Sequence, residues 1–183
     1  MAILLAERGT AFSHTLSGIE NVRGSDGFGD ILTGNSSSNK LQGYGGNDRI
    51  SGASGDDYLD GGNGQDRISG GSGNDYLDGG KGRDYLNGGA DNDTLFGGDA
   101  ADKFVFTGTH SGNDTILDFT DNVDTLLIDN ALWVGSLSVQ QVLNNFATVI
   151  NDADTFFDFG GGNTITVIGV SDTSILLDDI TII

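Results

Sequence analysis

Large apolar residues recur at every ninth position through the middle of the chain, separated by polar residues and glycines. They are Ile50, Leu59, Ile68, Leu77, Leu86, Leu95 and Phe104. Reading from Gly43, the blocks are GYGGNDRIS, GASGDDYLD, GGNGQDRIS, GGSGNDYLD, GGKGRDYLN and GGADNDTLF, with a seventh, GGDAADKFV, from Gly97. The three residues around each apolar position read as a tiny strand with the middle side chain pointing inward, and the other six as a loop. Loop, strand, loop, strand makes one turn of 18 residues, so loops n and n+2 stack on the same side.

Outside these blocks the pattern changes. Ile3–Ala6 and Ile19–Val22 read as short strands of an edge piece covering residues 1–24. Carried back by nines, the register puts Leu41 and Leu32 at the apolar place and Asn39 and Asp30 at the acidic place. Most glycines are gone there (GNSSSNKLQ and SDGFGDILT), as expected of degenerate capping turns. After Phe106 the repeat stops. Thr115–Phe119, Thr125–Ile128, Thr148–Ile150, Thr155–Phe159, Thr164–Ile168 and Ser174–Ile182 read as strands rich in Thr, Ile, Val and Phe. Ser138–Asn144 reads as one helix with Ser138 as N-cap, and Gly160-Gly161-Gly162-Asn163 as a turn between strands. Such a β-rich segment covers the open end of a solenoid.

The sixth place of every block is an aspartate: Asp48, Asp57, Asp66, Asp75, Asp84, Asp93 and Asp102. Glycines at places one, two and four adopt backbone conformations that a Cβ forbids, so the loop can turn carbonyl oxygens inward. Calcium takes six to eight hard oxygen ligands at about 2.3–2.6 Å, and carboxylates with main-chain carbonyls suit it. One buried aliphatic side chain per nine ordered residues falls short of the conformational entropy lost, and stacked carboxylates repel. The apo repeat is therefore expected to be unfolded, with metal binding supplying the folding free energy.

The acidic residues number 27 against 8 basic ones, for a net charge of -19. That balance argues against nucleic acid, which wants Lys and Arg. An acidic, Gly-rich chain is ordinarily disordered, but here the acids recur every ninth residue. The chain has no cysteine, hence no disulfide framework or zinc-thiolate cluster. No apolar run reaches the length of a transmembrane helix. Met1-Ala-Ile-Leu-Leu-Ala is too short for a signal peptide and has no basic region before it, so export is expected to use another address. The abrupt opening of the array suggests a piece of something longer.

The seven tandem blocks closely resemble the RTX family of calcium-binding nonapeptide repeats, G-G-x-G-x-D-x-U-x, over residues 25–106. The resemblance implies an all-β fold, a parallel β-roll with a β-rich C-terminal cap. It also implies that each ion lies between two stacked loops. The lower loop supplies carbonyls from places two and four: Tyr44 and Gly46, Ala53 and Gly55, Gly62 and Gly64, Gly71 and Gly73, Gly80 and Gly82. The upper loop supplies those of places one and three: Gly61 and Asn63, Gly70 and Ser72, Gly79 and Lys81, Gly88 and Ala90, Gly97 and Asp99. The aspartate pairs are then Asp48/Asp66, Asp57/Asp75, Asp66/Asp84, Asp75/Asp93 and Asp84/Asp102, with Asp66, Asp75 and Asp84 shared between ions. That makes about five Ca2+ ions, or up to seven if Asp30/Asp48 and Asn39/Asp57 also bind. Asp91 and Ala100 replace glycine at place four, but only in upper loops.

Other chemistry finds little footing. EF-hand loops end in Glu, and Glu7 and Glu20 are the only glutamates. Lys81 sits between glycines without the Walker Ser or Thr, and no dinucleotide glycine pattern fits the array. His14 and His110, the only histidines, belong to no catalytic motif. Asp152/Asp154 and Asp178/Asp179 read as turn or capping acids, and no enzyme is expected. Trp133 with Phe156, Phe157 and Phe159 reads as the core of the cap before it reads as a sugar platform. The terminus Asp178-Asp179-Ile180-Thr181-Ile182-Ile183 is similar to the uncleaved export signals of type I secreted RTX proteins.

The expectation is three segments: an N-terminal edge piece (1–24), a calcium-binding β-roll (25–106) and a cap with a type I secretion signal (107–183). The expected setting is extracellular, with calcium and, transiently, a type I transporter as partners, and with neither nucleic acid nor a transmembrane segment. A carbohydrate-binding accessory module, resembling the repeat modules of alginate epimerases, is the alternative. The charge of -19 weighs against a polyanionic polysaccharide partner unless calcium bridges it, and no basic groove is visible in the sequence.

Overall fold

The computed structural model describes residues 3–5, 13–15, 21–108, 112–133 and 135–183. Its strands are short and follow one another closely: β1 (Ile3–Leu5), β2 (Ser13–Thr15), β3 (Asn21–Arg23), β4 (Ile31–Thr33) and β5 (Lys40–Gln42). Six longer strands follow, β6 (Arg49–Ser54), β7 (Tyr58–Asn63), β8 (Arg67–Ser72), β9 (Tyr76–Lys81), β10 (Tyr85–Ala90) and β11 (Thr94–Asp99). The C-terminal part adds β12 (Lys103–Phe106), β13 (Asn113–Ile116), β14 (Thr125–Ile128), α1 (Val139–Phe146), β15 (Ala147–Ile150), β16 (Asp154–Gly160), β17 (Asn163–Val167) and β18 (Ile180–Ile182).

Successive strands alternate between two sheets. One is ten-stranded, in the order β1-β3-β5-β7-β9-β11-β13-β17-β16-β15; the other is eight-stranded, β18-β14-β12-β10-β8-β6-β4-β2. Every pairing is parallel except β15/β16 and β16/β17. The protein is thus a parallel β-solenoid, all-β among the described residues apart from α1 and two short 3-10 turns. Neighbouring repeat strands within a sheet are offset by 18 residues, as in Ile50↔Ile68 and Leu59↔Leu77.

The apolar place of each block forms the core. Ile50, Ile68 and Leu86 stack down one sheet and Leu59, Leu77 and Leu95 down the other, all at most 1% exposed. Leu32 and Leu41, from the degenerate upstream blocks, continue the columns at one end, and Ile116 and Leu126 at the other. Each central strand runs six residues rather than the expected three, because places one to three of the following block stay in register (Gly71↔Gly89, Ser72↔Ala90). The loop shrinks accordingly to three residues.

In the cap, the hairpin β16/β17 turns at Gly160–Gly162 as the glycines suggested, and joins the ten-stranded sheet through β17 beside β13. Ser138 caps α1 in a reciprocal capping box with Gln141, and Val142 and Leu143 bury its inner face. The tail departs from expectation. Ser174–Ile182 is not one strand: Thr173–Leu177 is a 3-10 turn that buries Leu176, and only Ile180–Ile182 pairs, with β14. Asp172 starts that turn by accepting the Ser174 amide, which diverts the backbone from the sheet. The sequence-expected edge at Ala6 and Ile19, and His110, Glu7 and Glu20, lie outside the described residues.

Candidate metal centre

The place-six aspartates form two buried columns. Asp48, Asp66, Asp84 and Asp102 stack above Asp30, and Asp57, Asp75 and Asp93 above Asn39; each is at most 4% exposed. In every column Oδ1 accepts the backbone amide of the residue one turn earlier. Asp48 Oδ1 takes the Asp30 amide at 2.7 Å, Asp66 that of Asp48 at 2.7 Å, and Asp75 that of Asp57 at 2.8 Å. These bonds zip the turns together.

The second oxygen behaves differently. Oδ2 of Asp48, Asp57, Asp66, Asp75, Asp84, Asp93 and Asp102 is buried and accepts no hydrogen bond among the described residues. A buried carboxylate oxygen without a donor is costly. In five of the seven, a second oxygen points to the same place. A Cβ built on Gly43 would lodge between Asp48 Oδ2 and the carbonyl oxygen of Gly61, one turn on. The same holds at Gly52 (Asp57, Gly70), Gly61 (Asp66, Gly79), Gly70 (Asp75, Gly88) and Gly79 (Asp84, Gly97). Place one is therefore glycine because a side chain there would fill the cradle between two oxygens. Its φ is not in the left-handed region.

Places two and four are glycine for another reason. All seven blocks carry positive φ at both, including the non-glycines Tyr44, Ala53, Asp91 and Ala100 at 72°, 82°, 77° and 87°. The remaining carbonyls named above, those of Asn63, Ser72, Lys81, Ala90 and Asp99, belong to place three, at the ends of β7 to β11.

The array ends close differently. Asp30 Oδ2 accepts the Ser25 amide at 2.6 Å and the Ser25 hydroxyl at 3.0 Å. The loop before Asp30 holds one extra residue, since β3 pairs with β5 at an offset of 19 (Asn21↔Lys40), and this brings Ser25 onto the carboxylate. Asn39 Oδ1 likewise takes its own loop's Asn35 amide at 2.8 Å. At the far end, a Cβ built on Gly97 would meet Asp102 Oδ2 and the Phe104 ring, with no carbonyl oxygen as close.

The columns extend beyond the repeats, which sequence reasoning missed. Asp114 Oδ1 accepts the Asp93 amide at 3.0 Å and Asp124 Oδ1 the Asp102 amide at 2.8 Å, and both residues are buried. Their spacings of 21 and 22 residues hide them from a nine-residue register. The surviving signal is Asp, Thr, then an inward aliphatic, at Asp114-Thr115-Ile116 and Asp124-Thr125-Leu126.

Burial pushes these carboxyls up, against the lowering effect of the amides they accept, and repulsion from neighbouring acids adds to it at all of them but Asp114. Asp57, Asp66 and Asp102 rise to about 6, Asp48, Asp75, Asp84 and Asp114 to about 7, and Asp93 to about 8. Among the described residues, no three His, Cys, Asp or Glu side chains converge on one point. A cation held here must take most of its oxygens from the main chain. Hard, uncharged carbonyls with one or two carboxylates are a calcium donor set, and an orphaned anionic oxygen beside a carbonyl fits it.

The other sequence candidates have structural partners. Asp154 Oδ1 accepts the Gly169 amide at 2.9 Å and Asp179 Oδ2 the Asn122 amide at 3.1 Å. Trp133 stacks on Phe146 and Phe159, each at 5.8 Å, and Phe157 on Phe159 at 6.0 Å, so the aromatic cluster packs internally; Phe156 is not part of it.

The sequence model of the RTX calcium-binding nonapeptide repeat matches four overlapping stretches of the chain, 24–59, 33–68, 51–86 and 69–104. No curated protein matches the chain. Among solved structures, the extracellular lipase LipA from Serratia marcescens is 20% identical, covering 92% of this chain and 40% of its own, with a TM-score of 0.44. The AlgE6R3 subunit of the Azotobacter vinelandii mannuronan C5-epimerase is 23% identical, covering 86% and 80%, with a TM-score of 0.39. The chain spans about two-fifths of the length of that lipase. Residues 24–104 are thus a stretch of RTX calcium-binding nonapeptide repeats, and such repeats bind calcium.

Proposed function

We propose that this chain is a calcium-gated folding module of a secreted protein. Five ions sit between stacked loops, held by the pairs Asp48/Asp66, Asp57/Asp75, Asp66/Asp84, Asp75/Asp93 and Asp84/Asp102. The carbonyls of places two and four below, and of places one and three above, complete each set. The observation that carries this reading is the row of buried, donorless Oδ2 atoms, five of them facing a place-one carbonyl across a glycine. Two further loops, at Asp30 and Asn39, are weaker candidates, because Ser25 and Asn35 already donate to their inner oxygens.

Five divalent ions would offset about 10 of the 19 net negative charges. Without them the columns are mutually repelling carboxylates around a core one residue wide. In low calcium the chain stays unfolded and threads a narrow type I exporter, with residues 178–183 as the address. In extracellular calcium the ions bind and the roll of 25–106 forms between its N-terminal edge (1–24) and its cap (107–183). The family's repeats are typical of secreted proteins, and no described helix is long and apolar enough to cross a membrane.

Circular dichroism against free calcium tests the gate. A cooperative disorder-to-β transition is expected, half-complete at about 0.1–1 mM, the range of extracellular modules. A chain equally folded in chelator would sink the proposal.

A further inference from the structure

Two junctions of the chain carry a chemistry that calcium coordination does not use. Asn63-Gly64 and Asn87-Gly88 are the only places where asparagine precedes glycine. Asparagine is a thermolabile residue, and most so before glycine, where no Cβ shields the next backbone nitrogen. That nitrogen can attack the side-chain amide carbon only if its N–H is unpaired and the chain can bend back.

The folded roll denies both conditions. Asn63 ends β7, where its amide donates to the Tyr44 carbonyl at 2.8 Å and its carbonyl accepts the Gly46 amide at 2.9 Å. The Gly64 amide donates to the Lys81 carbonyl at 2.7 Å, and Asn63 Nδ2 reaches the Tyr44 carbonyl at 3.3 Å. Asn63 is exposed and Gly64 half-buried, so pairing rather than burial shields this junction. Asn87 lies inside β10 in register with Ser69, and Gly88 follows it in the same strand, buried. An extended strand turns the Asn87 side chain out of the sheet, away from the backbone it would attack.

We propose that Asn63-Gly64 and Asn87-Gly88 are self-modification sites of the metal-free chain, and that calcium-driven folding closes them. The glycine nitrogen gives up its proton and bonds to the asparagine Cγ. The side-chain nitrogen takes up a proton and leaves as ammonia, closing a five-membered imide. Water then opens the ring at either carbonyl, leaving aspartate or isoaspartate; no oxidant or reductant is needed. Isoaspartate routes the backbone through the side-chain methylene, one atom longer, and so shifts the chain against strands whose register is fixed. Each event also adds a negative charge to a chain already at -19. Both junctions lie within the calcium scaffold: the carbonyls of Asn63 and Gly64 serve successive proposed ions, and that of Gly88 faces Asp75 Oδ2 across Gly70. The inference rests on the calcium reading, because only a chain that unfolds without the ion frees these amides. The unfolded chain thus has a limited chemical lifetime, after which calcium folds it less readily.

The test ages the full chain, warm and at neutral pH, in calcium and in chelator side by side. Its calcium-induced folding is first checked by circular dichroism. Trypsin then releases residues 50–67 with Asn63, 84–103 with Asn87, and 68–81 with Asn74, which precedes Asp75 and serves as control. Conversion is read as the mass gain of amide to acid. In chelator, 50–67 and 84–103 should convert well ahead of 68–81. In calcium both should slow at least about tenfold, since reaction waits on opening of the fold. The chain aged in chelator should need more calcium for half-folding than the fresh chain. Asn87→Gln should remove the conversion in 84–103 and reduce that rise, aged compared with fresh; the wild-type peptide rates stand by themselves if this variant does not fold. Equal rates in calcium and chelator, conversion spread evenly over the three peptides, or an unchanged midpoint after conversion would overturn the inference. A chain with no calcium-induced transition fails the calcium reading and this inference with it. A chain that folds in calcium yet converts at the chelator rate fails this inference alone.

Discussion

The backbone amide of Asp66 donates to Oδ1 of Asp84 at 2.8 Å, one turn later, while Oδ2 of Asp84 lies buried beside the carbonyl of Gly97 without a donor. One carboxylate thus has two separate settings: Oδ1 joins turns, and Oδ2 faces the place of the proposed ion. Asn at this position keeps the first and loses the charge needed for the second. Asp84→Asn should therefore raise the calcium concentration for half-folding at least several-fold, and Asp84→Ala further, by about another 1 kcal/mol for the lost hydrogen bond. Equal midpoints for the two variants, by circular dichroism, would show that the Oδ1 bond contributes nothing.

Position in the array should matter as much as identity. Asp75 belongs to two proposed ion sites, whereas the inner oxygen of Asp30 is already held by Ser25. With nearest-neighbour coupling along a solenoid, Asp75→Ala should weaken calcium-induced folding and its cooperativity far more than Asp30→Ala. Calcium titration of both variants decides, and matching curves would refute the register of the ligands.

The raised carboxyls predict how the metal-free chain responds to pH. Their folded values of about 6 to 8 lie above the ordinary 3.8, so the folded state binds more protons than the unfolded state. Their contribution to folding is complete below about 3.8 and is lost as pH rises through 6 to 8. In chelator, β structure should therefore increase from pH 8 to pH 5. Calcium must displace those protons, so its midpoint should shift to higher concentration over the same descent, with proton release on binding. A metal-free chain less ordered at pH 5 than at pH 8 would contradict the burial of these columns.

The two kinds of glycine should respond differently to a methyl group. Gly70→Ala places a Cβ between Asp75 Oδ2 and the Gly88 carbonyl, and should abolish one ion's contribution. Ala53, by contrast, already holds φ at 82°, a conformation that costs a non-glycine about 1–2 kcal/mol. Ala53→Gly should stabilise the calcium-loaded roll by about 1 kcal/mol. Calorimetric ion counts and thermal melts in calcium measure the two effects.

Removal of Asp178–Ile183 tests the tail on two links at once. It deletes β18, which pairs with β14, and the buried Ile180, and under the proposed reading it also deletes the export address. Secretion through a matching type I transporter should stop. The purified truncated chain should still show the calcium transition, with a lower melting temperature. Normal export of the truncated chain would reduce this segment to an edge strand.

A side-chain ladder ties repeats to cap. Asn74 Oδ1 accepts the Asn92 amide at 3.1 Å and Nδ2 at 3.0 Å, and Asn92 Oδ1 accepts both from Asn113 at 2.9 and 3.0 Å. Asn92→Ala breaks it in the middle and should cost about 1 kcal/mol, read as a lower melting temperature in calcium.

The nine-residue register alone determined the inward aliphatics from Leu32 to Phe104, the seven aspartates of the columns and the loop glycines. Each of those is a local matter: positive φ at places two and four, and one inward side chain per short strand, are repeated in the sequence because they are repeated in the backbone. Ser138 and its helix were legible for the same reason, since a capping box spans only four residues. Closure into two sheets decided the rest. Asp114 and Asp124 join the columns because longer loops still return the chain to the same strand position, a coincidence in space that no fixed spacing records. Ser174–Ile182 alternates like a strand, yet the cap takes Leu176 inward and leaves only Ile180–Ile182 beside β14. Arg-Ile-Ser and Tyr-Leu-Asp alternate from block to block, and only an 18-residue turn sends the first to one sheet and the second to the other. A nine-residue period specifies what each strand is; which strands share a face depends on the two-strand turn that carries the chain around.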